Sequence, residues 1–74
     1  MAVTYTEHAK DRMKNRHITN LEVVEAISQP YFTVASRFNR LIVVKRYGDK
    51  YLKVIYEKSN DKITVVTVYW TRRP

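Results

Sequence analysis

His8, Arg12 and Arg16 recur at four-residue intervals near the start of this 74-residue chain, in the stretch HAKDRMKNRHI. On a helix, at about 100° per residue, they fall at roughly 0°, 40° and 80°, beside Ala9 and Met13 at roughly 100° and 140°. Glu7, Lys10, Asp11 and Lys14 occupy the far side, where Glu7 can pair with Lys10 along the helix. The stripe therefore borders the apolar seam, and a partly covered arginine needs a carboxylate, carbonyl or phosphate partner. Two uses fit. The arginines pin the first helix to Glu22, Glu25 or strand-end carbonyls, or the three residues grip a phosphodiester, His8 moving a proton and the arginines stabilising charge in the transition state. From spacing alone the structural use is favoured, because structural ion pairs outnumber catalytic ones.

Further candidates stand on β-patterned runs. Lys45 and Arg46 are adjacent and must point to opposite faces, so at most one shares a face with a given partner. Tyr69 shares a face with Thr67, and with Lys53 and Tyr51 it can form a polar, aromatic platform for nucleic acid. Arg72, near the C-terminal end, is a candidate phosphate contact. For most of the six tyrosines the plainer account is a half-buried ring with a hydrated hydroxyl. There is no Cys/His cluster, no H-E-x-x-H, no carboxylate pair at metal spacing, and a single glycine excludes glycine-rich phosphate loops. The expected chemistry uses neither metal nor cofactor.

These residues are carried by readable elements. Thr6 is a fitting N-cap for a helix that runs to about Arg16, and His17 suits a left-handed helix end. Thr19 and Glu22 form a T-x-x-E capping box, with Ile18 and Val23 as its hydrophobic staple. The second helix should bury Leu21, Val23, Val24 and Ile27 and end near Gln29, before Pro30. Four β-branched and aromatic runs follow: YFTVAS, RLIVVKRY, KYLKVIYEK and KITVVTVYWT. Simple alternation in the last run sets Ile63, Val65, Thr67 and Tyr69 against Thr64, Val66, Val68 and Trp70, and the run reads as central or covered on both sides. Short connections make the expected fold α+β: two N-terminal helices packed on one face of a four-stranded antiparallel meander sheet, in a single domain over residues 1–74.

Fourteen Lys and Arg against seven Asp and Glu give a net charge of +7, spread along the chain. Such a chain attracts polyanions, and RNA or DNA is the expected partner. Absence of cysteine fits a reducing compartment, and no apolar run suits a signal peptide or a membrane span, so a cytoplasmic protein without a membrane partner is expected. Oligomeric state is not legible.

The pattern His8-Ala9-x-x-Arg12-Met13-x-x-Arg16, followed by Ile18-Thr19, a short V-x-x-A-I helix with Pro30, and T-V-Y-W at residues 67–70, resembles a widespread family of small prokaryotic domains of unassigned function. That family has been linked to the barnase, EndoU, colicin and RelE class of folds, mostly metal-independent ribonucleases and often toxins of toxin–antitoxin systems. The resemblance implies an endoribonuclease-like scaffold, RNA as substrate, a possible acidic antitoxin as partner, and site positions at His8, Arg12, Arg16, Thr67 and Tyr69. One position departs: His17 stands where the family commonly has glycine. A non-catalytic nucleic-acid-binding module and a basic protein-interaction domain remain the rival readings.

Overall fold

The computed structural model describes residues 2–73. Its elements are β1 (Ala2–Tyr5), α1 (Glu7–Arg16), α2 (Asn20–Ser28), β2 (Phe32–Ala35), β3 (Arg40–Tyr47), β4 (Lys50–Ser59) and β5 (Lys62–Thr71). The strands form one five-stranded sheet in the order β1-β5-β4-β3-β2. β1 runs parallel to β5, from Ala2 opposite Lys62 to Tyr5 opposite Val65, and the other pairs are antiparallel. The expected four-stranded antiparallel meander is therefore corrected to a five-stranded mixed sheet in an α+β fold. AVTY is too short to display a strand period, and its partner lies some 60 residues away, so local pattern could not reveal it.

Both helices start as their caps dictate. The Thr6 hydroxyl accepts from the Ala9 N–H, and Thr19 and Glu22 satisfy each other's backbone donors in a full capping box. α1 ends at His17, whose φ of 54° and ψ of 45° are left-handed, with its N–H donating to the Met13 carbonyl. Histidine is tolerated there, but glycine adopts the conformation without the steric cost of a Cβ, so His17→Gly should raise stability by about 0.5–1 kcal/mol, measured by urea denaturation.

Ala9, Ile18, Val23 and Ala26 from the helical segment meet Val43, Leu52, Val54, Tyr56, Ile63, Val65 and Val68 from one sheet face in the core. Leu21 is a correction, standing 66% exposed. The buried axis of α2 runs through Val23, Ala26 and Ile27, and Leu21 lies roughly 160° from Val23, on the opposite side. Burial pushes the phenols of Tyr5 and Tyr56 up, and that of Tyr47 too, where Glu25 and Glu22 add to the effect. The Tyr5 hydroxyl donates to the Asn20 side-chain carbonyl, tying β1 to α2.

β5 does not keep the simple alternation. Ile55 pairs with Thr67 and Tyr56 with Val65, leaving Val66 as an extra residue in a bulge. Ile63 and Val65 are buried before the bulge, and Val68 after it. Thr67 and Tyr69 thereby leave the face that Val65 occupies. β5 is an interior strand between β1 and β4, with β4 in the middle of the sheet, and β1 covers its outer edge only as far as Val65.

The β2–β3 connection is a tight turn in which the Arg40 N–H donates to the Arg37 carbonyl at 3.2 Å. Its central residues, Phe38 and Asn39, both have positive φ, 59° and 60°, as a type I′ turn requires. Asparagine tolerates this conformation, whereas for phenylalanine the left-handed region costs about 1–2 kcal/mol.

A candidate active-site cleft between the first helix and the last strand

Thr6 fixes the placement of α1. Its N–H donates to the Val65 carbonyl at 3.0 Å and its hydroxyl to the Val66 carbonyl at 2.8 Å, so the helix starts from the bulge in β5. Ala9 is fully buried and Met13 packs against the core, which fixes the rotation of the helix. The stripe about one sixth to one quarter of a turn away then overlooks the outer edge of β5 beyond Val65, which β1 does not cover.

There a cleft of about 590 Å³ is lined by His8, Arg12, Arg16, Thr67, Tyr69 and Trp70. Thr67 and Tyr69 point to one side of β5 and Trp70 to the other, so the cleft lies along the strand's edge. Arg12 is half-buried, whereas His8 and Arg16 are exposed, further out than the helical wheel suggested. No carboxylate among the described residues lines the cleft. Among the described residues neither arginine makes an ion pair; the salt bridges are Lys10–Glu7 at 3.6 Å and Arg40–Glu57 at 2.9 Å. Pinning to Glu22 or Glu25 is therefore absent. Arg12 and Arg16 leave the helix about 6 Å apart along its axis, and guanidinium is a group suited to anions.

The remaining candidates disperse. Lys53 lies opposite Tyr69 in the sheet register, beside the cleft but not in its lining. Lys45 turns the other way: it is opposite Leu52, its ammonium donates to the Gln29 carbonyl at 3.1 Å, and it stands 5.8 Å from the Tyr47 ring centre. It anchors the end of α2. Arg46 donates to the Gly48 carbonyl at 3.1 Å and braces the β3–β4 turn. Arg72 follows the end of β5 and is exposed. No group of three His, Cys, Asp or Glu among the described residues is placed to hold a metal ion, and no helix is long and apolar enough to cross a membrane.

Trp70 escaped the sequence reading as a site residue because alternation opposes it to Tyr69. Its indole meets Tyr47 edge-on, with ring centres 5.7 Å apart, and the Lys50 ammonium lies 4.1 Å from its ring centre. That cation–π contact brings a further positive charge to a cleft wall. The available signal was T-V-Y-W at residues 67–70, part of the family resemblance.

A family model matches residues 5–70, from the end of β1 through Trp70, and so includes every residue that lines the cleft. The chain belongs to the DUF4258 family, described as a domain of unknown function. No curated protein and no solved structure matches it. Within this DUF4258 domain the cleft gathers one imidazole, two guanidinium groups that make no ion pair among the described residues, two hydroxyls and two aromatic rings. If the site holds phosphate, Arg12→Ala should weaken RNA binding and lower the slope of log affinity against log salt by about one. Filter-binding titrations from low to moderate salt would check this.

Proposed function

We propose that this DUF4258 protein is a metal-independent endoribonuclease whose site is the α1–β5 cleft. One observation carries the reading: residues far apart in sequence, His8, Arg12 and Arg16 with Thr67 and Tyr69, line one cleft where the arginines make no ion pair among the described residues. The net charge of +7 supports a polyanionic substrate. In the reaction the ribose 2′-oxygen attacks the adjacent phosphorus and the bond to the 5′-oxygen breaks, leaving a 2′,3′-cyclic phosphate. The proton lost by the 2′-hydroxyl and the one gained by the 5′-oxygen pass through a general base and acid. Imidazole is the side chain that changes charge between pH 5 and 8, and His8 is the one imidazole lining the cleft. Arg12 and Arg16 neutralise the pentacoordinate phosphate, Thr67 donates to a phosphate oxygen, and Tyr69 stacks a base or orients the phosphate.

In a cell such an enzyme fits the role of a toxin, held in check by an acidic antitoxin that covers the basic cleft. Purified protein in chelator-containing buffer should cut single-stranded RNA and leave cyclic phosphate ends. RNA that stays intact while bound removes the enzymatic reading. A binding module without catalysis is the second reading, favoured by one feature: no hydrogen bond orients the His8 ring among the described residues. Inducible expression in a bacterial host separates the biological roles, since the toxin arrests growth and degrades RNA.

A further inference from the structure

At the opposite end of the sheet, the Arg37–Arg40 turn holds Phe38 in a left-handed conformation with its ring 84% exposed. A bulky residue in that conformation gains nothing from the fold when its ring touches solvent, which directs attention to what the ring can meet outside. Beside the turn lies a second cavity, of about 500 Å³, lined by the polar residues Ser36, Asn39, Arg40, Lys58 and Asn60 and by the apolar Ala35 and Leu41. It sits between the β2–β3 and β4–β5 turns. Arg40 is matched by Glu57 at 2.9 Å, but Arg37 and Lys58 are exposed and make no ion pair among the described residues. Beside the turn, cations, amides and a hydroxyl stand with the apolar side chains of Ala35 and Leu41, and the exposed cations Arg37 and Lys58 favour a polyanionic partner over a neutral apolar one. That combination suits a flat, polar-edged π-system attached to a phosphate.

We infer that the Phe38 turn and its adjoining cavity are a second RNA contact, where the ring stacks an unpaired base, Lys58 and Arg37 meet its phosphates, and Asn39 and Asn60 face the base edge. The inference rests on the reading of the α1–β5 cleft as an RNA site and narrows the substrate to single-stranded RNA. Lys53, opposite Tyr69, and Lys58, on the cavity rim, are separated by about 17 Å along β4 at the strand rise and lie on opposite faces, so one RNA strand reaches both by passing around the sheet. A strand of several nucleotides spans both sites, and a very short one reaches the cleft alone.

The test uses 2′-O-methyl oligoribonucleotides, which resist cleavage, as an unstructured 12-mer and a 4-mer. Phe38→Asn supplies a residue the turn favours, so its melting temperature should match or exceed the wild type's. It should bind the 12-mer about tenfold more weakly, bind the 4-mer unchanged, and Phe38→Trp should restore the 12-mer affinity. Unchanged 12-mer binding by Phe38→Asn, with the wild type bound and active, overturns this inference and leaves the cleft reading intact. A wild type that binds neither oligomer overturns both. Loss of binding to phosphatidylserine vesicles in Phe38→Asn, with RNA affinity retained, overturns it in favour of a membrane contact.

Discussion

Replacing His8 with Ala is expected to lower RNA cleavage by about 10²- to 10⁴-fold, the usual worth of a positioned general acid or base. Binding should stay within about threefold of the wild type, because the side chain is exposed and the two cleft arginines supply the positive charge. The fold should be undisturbed: Ala9 and Thr6, not His8, hold α1 to the core and the bulge. Cleavage and binding are therefore separable in one variant. Rates from a labelled single-stranded RNA, beside affinity for the same strand in its non-cleavable form, check the expectation. Full activity in His8→Ala would remove the imidazole from the chemistry; equal loss of binding and cleavage would make it a binding residue.

The largest effect on stability is expected from Leu52→Ala. Leu52 is completely buried in central β4, opposite Lys45 on one side and Trp70 on the other. Removing a buried leucine side chain costs about 2–5 kcal/mol through lost transfer energy and the cavity left behind. A domain of this length has about 4–11 kcal/mol in total, so a large part of the margin disappears. Urea denaturation followed by fluorescence of Trp70, the only tryptophan, reads the change directly. The matched control is Leu21→Ala, the same chemical change at an exposed site, which should move stability by about 0.5 kcal/mol or less. Similar losses at the two positions would contradict the core assignment.

What could be read from the chain alone follows the range of each interaction. The caps at Thr6 and Thr19 and the left-handed end at His17 involve residues three or four apart, and they were legible. So was the side of α1 that carries His8, Arg12 and Arg16, because helical periodicity sets it relative to Ala9 and Met13. β1 was not legible, since four residues pair with a strand some 60 residues later. The register shift at Val66 was equally hidden: a bulge is a relation between two strands, and the β5 pattern continues through it without a glycine or proline to mark it. Both omissions concern the cleft. The bulge moves Thr67 and Tyr69 off the core face, and the early end of β1 leaves the edge of β5 to α1. Lys45 and Arg46 show the reverse limit, because charge alone could not distinguish a phosphate contact from a side chain spent on Gln29 or Gly48.

The parallel pairing of β1 with β5 also governs when the cleft can exist. Contacts of such long sequence separation repay the entropy of chain closure only late in folding. A chain emerging N-terminus first presents β1 and α1 with their basic stripe long before β5 arrives to receive them. His8 and Tyr69 meet only once β5 has followed α1 out of the ribosome, and until then the basic stripe stands without the strand that completes the cleft.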